Sequence, residues 1–260
     1  MSLQVVVSSP EHALCQVLLQ RGILAGYTFY IETEGIDRAE HIFATELKSF
    51  PTAIQPISKA PKHCIHVMIN ETEEHLLPQY QDAFGIKVTT WQAEREQTAF
   101  FRIHDMLPSP SGSNIMQQFA NWQAAIREGT EPQFRTQLRY WCSVQDVASA
   151  LVRILPFLKS VFQSCYDISG RRGWSDEETW GEYSALSLRS NAAKSGQFTI
   201  QDLQIPSSPA LREVPLSSAS DQSRPNISLL HELLETHTGD GWHPTVSLRQ
   251  MLMQVLAAQG

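Results

Sequence analysis

Nine histidines and four cysteines are the residues of this 260-residue sequence best equipped for nucleophilic or metal chemistry, and their spacing decides what they can do. His231, His237 and His243 are six residues apart, which spreads them around a helix instead of aligning them on one face, so they read as surface histidines. His63 and His66 flank Cys64 in HCIHVMI; on a strand the two imidazoles fall on opposite faces and do not chelate together. Cys142, beside Trp141, has no histidine paired with it by any motif and reads as a buried thiol. Cys15, Cys64, Cys142 and Cys165 lie too far apart for a zinc site or a dense disulfide scaffold, so all four are expected as buried thiols in a reducing cytoplasm. No metal site is expected. WSDEETW, Trp174–Trp180, places Ser175 as a helix N-cap with Asp176, Glu177 and Glu178 in the first turn, and would also serve as an acidic aromatic surface for a protein partner.

The elements that must position these residues alternate. Leu3–Ser8 reads as a buried strand, and Pro10 to about Arg21 as a helix with Ala13, Leu14, Val17 and Leu18 on one face and Gly22 just past its end. Tyr27–Ile31, His63–Ile69 and Ile86–Trp91 read as strands, Ala39–Phe50 and Glu71–Phe84 as helices. Strands alternating with helices of this length imply right-handed crossovers and a mainly parallel sheet. Beyond Pro108 the pattern gives a loop, a helix over Ile115–Glu128, a strand-like RTQLRYWCSV, a helix over Asp146–Leu158 and a strand over Tyr166–Ser169. A Ser- and Pro-rich connection, Ile205–Pro225, then leads to helices at Leu229–Thr236 and Leu248–Ala258.

Composition narrows the class. A formal charge of -7 leaves no basic field to collect phosphate backbones, which sets nucleic acid aside. The apolar runs, such as Leu151–Leu155, fall short of the about 18 residues that span a bilayer, and no signal peptide opens the chain; a cytoplasmic protein is expected.

Several segments, in order, resemble the extended short-chain dehydrogenase/reductase superfamily, the branch of NAD-dependent nucleotide-sugar epimerases and dehydratases. RYWCSVQDV, Arg139–Val147, is similar to the family's RDYIHVDDV; RPNIS, Arg224–Ser228, to its RPDIS turn; GWHPTVSLRQML, Gly241–Leu252, to its GWxPxxSLxEGL ending; and RIHDMLPS, Arg102–Ser109, to its RxxNVYGP strand. The resemblance implies a Rossmann-like doubly wound parallel sheet over residues 1–160, with 110–135 contributing to the cleft, and a smaller, shortened C-terminal α/β substrate lobe over 161–260.

The chemistry departs from that pattern at two points. Where the family carries GxxGxxG, this chain has Ser9, His12 and Cys15, so no glycine lets a pyrophosphate approach the helix N-terminus, and Glu11 adds a negative charge there. Glu32 or Glu34, after the second strand, stands where a ribose-binding acid would. No tyrosine has a lysine four residues later, so the family's Tyr/Lys pair is missing, and NETEEHLLPQYQDAFGIKVTTW, Asn70–Trp91, runs through QAEREQ into the RIHDMLPS strand with no residues left for the helix that carries it. Thr89 and Thr90 fall near the family's Ser/Thr position. By position, Arg139 and Arg224 would hold the diphosphate of a nucleotide sugar and Trp141 would lie near the nucleotide, while Asp105 replaces a substrate-touching Asn; as structural groups, the arginines would pair with Asp146 or Asp221.

The resulting expectation is a degenerate, non-catalytic pseudoenzyme with no cofactor that binds a nucleotide-sugar-like ligand or a protein partner. One alternative is an active NAD(P)-dependent epimerase, dehydratase or reductase with a site rebuilt from His12, Thr89 and Tyr80. Another is new chemistry in the old cleft using His66, Asp105 or Cys142. Without the missing helix the family dimer is not expected; the apolar face Leu76, Leu77, Tyr80 and Phe84 implies self- or hetero-association of another kind.

Overall fold

The computed structural model describes residues 2–70, 83–92, 95–110, 112–160, 165–197, 199 and 224–259. Strands β1 (Gln4–Val7), β2 (Thr28–Ile31), β3 (Ile54–Pro56), β4 (Ile65–Asn70), β5 (Phe84–Gln92), β6 (Arg95–Ile103) and β9 (Cys165–Ile168) form one sheet in the order β3-β2-β1-β4-β5-β6-β9. Four of its pairings are parallel, β1 with β2 and β4, β2 with β3, and β6 with β9. A second sheet pairs β7 (Met106–Leu107) with β8 (Cys142–Ser143).

One strand breaks the parallel pattern. Gln92 of β5 pairs with Arg95 of β6, so only Ala93 and Glu94 separate the strands. Two residues cannot carry a chain back to start a parallel neighbour, which takes a crossover of roughly a dozen residues or more. The two strands therefore form a hairpin, and because β6 keeps the direction of β4 and β9, β5 is the one reversed. Ile86–Trp91, expected as one more parallel strand, runs antiparallel to both neighbours for this reason. The expected helix over Glu71–Phe84 lies outside the described residues except for its last two, and Phe84 opens β5.

Side chains alternate across the sheet. Val5, Val7, Phe29, Ile31, Ile65, Val67, Ile86, Val88, Phe101, Ile103 and Ile168 face the main core, which α1 (Ala13–Leu24), α5 (Val144–Ile154) and α7 (Ser228–Thr238) close from one side. The opposite face carries a small separate cluster of Val6, Tyr30 and Cys64. A second core gathers Ile115, Phe119 and Trp122 of α4 (Asn114–Glu128), Tyr183 and Leu186 of α6 (Asp176–Lys194), and Leu248, Met251, Leu252 and Val255 of α8 (Leu248–Gln259), with Leu107 and Trp141.

Several boundaries move. The first helix continues through Gly22, which is not a terminator but a point of close approach: a Cβ there would lie 2.3 Å from Phe29 Cζ. Phe43, at φ -102° and ψ 23°, splits the expected helix Ala39–Phe50 into α2 (Ile36–Ile42) and α3 (Ala44–Ser49). RTQLRYWCSV supplies only the two-residue β8 and an isolated bridge between Arg139 and Trp174. Ser175 does cap α6, through a full capping box with Glu178.

Gly22→Ala should destabilise the protein by about 1–3 kcal/mol, because the added methyl must displace the buried Phe29 ring and this outweighs the gain in helix propensity. Gly181→Ala, in α6 with open space at its Cβ position, should instead stabilise by about 0.5–1 kcal/mol. Urea denaturation of both variants measures the contrast.

Candidate functional site

The carboxyl ends of β6 and β9 deliver His104, Asp105 and Asp167 to one place, and the chain returning through 139–143 packs onto them. Arg102 donates to both oxygens of Asp167, at 2.6 and 3.2 Å, and His104 Nε2 donates to Asp167 Oδ1 at 2.7 Å. Burial alone would raise the Asp167 carboxyl, but these hydrogen bonds and charges outweigh it and hold the group below its ordinary value. Asp105 takes a left-handed backbone, φ 47°, which aspartate tolerates better than most residues. Its Oδ1 accepts from Arg139 Nη1 at 3.0 Å and its Oδ2 from the Tyr140 backbone N–H at 2.7 Å.

Arg139, read from sequence as a ligand arginine or as a partner of Asp146 or Asp221, is 2 % exposed and ion-paired with Asp105. Its Nη2 also donates to Gln118 Oε1 at 3.4 Å, and Gln118 Nε2 donates to Asp176 Oδ2 at 2.9 Å, so a chain of fixed polar groups runs from Asp105 to the N-terminus of α6. Asp146 is committed elsewhere, accepting from Ser143 and from the backbone and side chain of Thr245 and the backbone of Val246. Trp141 is 4 % exposed, donates from Nε1 to Thr179 Oγ1 at 3.1 Å and belongs to the second core. Arg224 is exposed, with Nη2 3.5 Å from the Arg171 carbonyl. Asp221 lies outside the described residues.

The turn after β1 is closed by its own side chain. His12 is the N-cap of α1, its Nδ1 accepting from the Leu14 backbone N–H at 3.2 Å, and its ring packs 5.5 Å from Phe84. An N–H that would otherwise meet an anion is thus already satisfied. Beside the turn is a cavity of about 320 Å³ lined by Ser8, Glu11, Glu32, Glu34 and Arg38 among others, three carboxylates to one guanidinium. Cys15 is buried and its thiol is pushed up to about 12, by burial first and Glu11 second.

The other sequence candidates disperse. Thr89 faces His66 across the β4–β5 pairing, buried, with its hydroxyl lacking a hydrogen-bond partner among the described residues. Its other neighbour, Thr98, lies five residues below Ile103, roughly 17 Å along the strand from the end that carries His104 and Asp105. Strand reversal is the cause: on β5 the later residues run away from the cleft edge. Thr90 pairs with Gln97, and Tyr80 lies outside the described residues. His66 is level with Val6, its Nε2 3.4 Å from Cys64 Sγ, well away from Asp105 and Cys142. Cys142 donates its thiol proton to the His104 carbonyl at 3.2 Å, and burial, then Asp105 and Asp146, keep it protonated well above the usual thiol range. Cys165 is exposed, unlike the other three thiols, because it opens edge strand β9. His231 and His243 meet ring to ring at 5.5 Å and His237 stacks on Phe157, but no group of three or more His, Cys, Asp or Glu among the described residues could hold a metal ion.

Sequence reasoning missed His104, Asp167, Gln118 and the structural roles of Asp146 and Asp176. The contacts that define them join distant segments, His104 with Asp167 at 63 positions and Gln118 with Asp176 at 58, and no local pattern marks them. It also missed a cavity of about 440 Å³ on the flank of α4, closed by Thr130, Gln133 and Arg135.

The mostly parallel sheet and its covering helices define an α/β protein of Rossmann-like fold. Solved structures share that fold: the terminal R domain of the myxalamid PKS-NRPS biosynthetic pathway (TM-score 0.52, 11% identity, 99% of this chain and 91% of that one) and Bordetella bronchiseptica WbmG in complex with NAD (0.50, 8%, 99% and 94%). UDP-N-acetylglucosamine 4-epimerase from Bacillus cereus aligns over 100% of both chains at 12% identity, with a TM-score of 0.47. No protein-family model matches the sequence, and no curated protein is significantly similar to it. Among the described residues no helix is long and apolar enough to cross a membrane.

Asp105→Ala should cost about 3–5 kcal/mol, since it leaves the buried Arg139 guanidinium without its carboxylate; chemical denaturation reads it. Asp167 adds a pH dependence. Its folded pKa is below the unfolded one, so its contribution is present above about pH 4 and is lost as pH falls through the folded value. Denaturation across pH 2–7 should show Asp167→Asn less stable than the parent near neutrality, with the gap closing at the acid end.

Proposed function

We propose that the chain is a degenerate, non-catalytic member of the extended short-chain dehydrogenase/reductase superfamily, of the epimerase/dehydratase type, that binds a nucleotide-sugar-like ligand or a protein partner in a regulatory or accessory role. The observation that carries the reading is the His12 cap. The first helix satisfies its own Leu14 N–H with an imidazole, and Glu11, Glu32 and Glu34 line the adjoining cavity, so a dinucleotide pyrophosphate meets a blocked and negatively charged turn. The absence of a YxxxK pair and the two-residue link between β5 and β6 support the same conclusion, because the link has no room for a catalytic helix. In this reading Arg139 and Trp141 stiffen the wall of the cleft, and Arg224 offers the exposed cation for a phosphate. Assembly proceeds through a surface unlike the family dimer, in the cytoplasm.

The active alternative, with NAD(P) as cofactor and chemistry from His12, Thr89 and Tyr80, is disfavoured by the commitment of His12 to its cap and by the position of Thr89. New chemistry from His66, Asp105 or Cys142 is disfavoured by the ion-paired Asp105 and the protonated Cys142.

A thermal-shift panel tests the proposal. A ligand at about 100 times its Kd adds roughly 2.7 kcal/mol, a rise in Tm of about 5 °C or more at this chain length. UDP-, dTDP- or GDP-sugars should stabilise the parent and fail with Arg224→Ala. Stabilisation by NAD(H) or NADP(H) would overturn the reading, and silence with every nucleotide sugar leaves the protein-partner form, read by co-purification.

A further inference from the structure

The carboxyl end of β9 runs through Ser169 and Gly170 into Arg171, and three other pieces of chain arrive at the same place. Trp242 donates from Nε1 to the Ser169 carbonyl at 2.8 Å, which pins the turn that carries His243. The Trp242 backbone N–H donates to His231 Nδ1 of α7 at 3.0 Å, and Gly241 leaves room for that ring, since a Cβ there would collide with it. Arg171 donates from Nη1 to His243 Nδ1 at 3.2 Å, and His243 meets His231 edge to face at 5.5 Å. Arg224, shortly before α7, reaches the Arg171 carbonyl with Nη2 at 3.5 Å.

The positive charge gathered here is unanswered. The adjacent Arg172 pairs with Glu178 at 2.8 Å and stacks on Trp174 at 3.8 Å. Arg171 and Arg224 instead meet a ring nitrogen and a carbonyl, and neither has a carboxylate within ion-pair distance among the described residues. Acids on the neighbouring segments are engaged elsewhere, Asp167 with Arg102 and His104, and Asp146 with Ser143, Thr245 and Val246. Glu232, Glu235 and Asp240 are exposed, and none of them pairs with either arginine. A guanidinium and a backbone N–H can only donate, so both histidines accept through Nδ1 and, as neutral rings, carry their proton on Nε2 as a further donor. The helix α7 begins between Arg224 and His231. Its Ser228 N–H is taken by Asn226 Oδ1, but Ile227 at the N-cap offers no side-chain oxygen, so the positive end of the helix dipole adds to the same field.

We infer that Arg171, Arg224 and His243 form a site for a dianionic phosphate group, in which Arg171 supplies the second guanidinium that Arg139, sealed against Asp105, does not. Each guanidinium presents a planar fork to a pair of phosphate oxygens, and two of them balance two negative charges. In a chain of net charge -7, donors concentrated without counter-ions are a local exception that selects an anion. A nucleotide-sugar diphosphate and free pyrophosphate share this chemistry. The inference rests on the proposed role of Arg224 and deepens it by naming Arg171 and His243 as the residues that complete the site.

Isothermal titration calorimetry of the full chain tests it, with inorganic pyrophosphate and a UDP-sugar as probes at about 150 mM salt, where diffuse attraction is screened. The parent should bind at least one probe. Arg171→Ala and Arg224→Ala should each lower affinity at least about tenfold, as the loss of charge-assisted hydrogen bonds requires, and His243→Ala about threefold or more. Arg172→Ala, whose charge is already paired with Glu178, should stay within about twofold of the parent. All four side chains are exposed, and an unchanged Tm confirms that each variant keeps its fold. Pyrophosphate bound as well as the UDP-sugar identifies the phosphate alone as the recognised group, and tighter UDP-sugar binding with the same dependence on Arg171 identifies a nucleotide sugar. Equal losses in Arg171→Ala and Arg172→Ala mark a diffuse field and overturn the site. UDP-sugar binding that is lost in Arg224→Ala but intact in Arg171→Ala overturns the inference while leaving the proposed function standing, and no binding of either probe overturns the inference and removes the ligand form of the proposed function.

Discussion

The link of two residues between β5 and β6 is the constraint on which the rest of this structure depends. Parallel neighbours need a crossover, and a link of this length permits only a hairpin. The strand that feeds His104 and Asp105 to the cleft keeps its direction because it also pairs in parallel with β9 and leads into the β7–β8 pair. The reversal therefore falls on β5. From that single change follow the antiparallel centre of the sheet, the meeting of β4 and β5 at one end through Asn70 and Gly85, and the withdrawal of Thr89 from the cleft edge.

The cleft itself has been filled from within. Asp105, in place of a residue that would face a ligand, turns to Arg139 and the Tyr140 N–H. Arg139 in turn braces Gln118, and Gln118 braces Asp176 under the N-terminus of α6. Breaking any one of these buried contacts leaves a charge or dipole unanswered, so the network holds the C-terminal elements in register with the sheet whether or not it contributes net stability. His12 plays the corresponding part at the first turn. Asp105, Arg139 and His12 all spend their polar groups on neighbours within the protein, whereas Arg224 stays exposed.

Much of the architecture was legible in the chain. Alternating strands and helices, the β-branched run at Ile86–Trp91, the Ser175 cap and the C-terminal helices are local patterns, and each appears within a few residues of its expected place. The direction of β5 was not legible from its own residues, because a strand's side-chain period is the same whichever way it runs. The role of Gly22 was hidden for a related reason: a glycine past a helix end and a glycine pressed against a phenylalanine look alike in sequence, and only the β2 side chains distinguish them.

By itself the sequence determined an acidic chain of alternating strands and helices with no glycine before Gly22 and no tyrosine followed by a lysine one helical turn later. Those are statements about which residues are present at which spacing, and no folding is needed to read them. Only the tertiary structure decided which charges are answered. Arg139, Asp105, Gln118 and Asp176 meet across long separations in the chain, and the fate of a guanidinium, sealed against a carboxylate or open to a phosphate, depends on which side chain lies within about 3 Å of it in three dimensions.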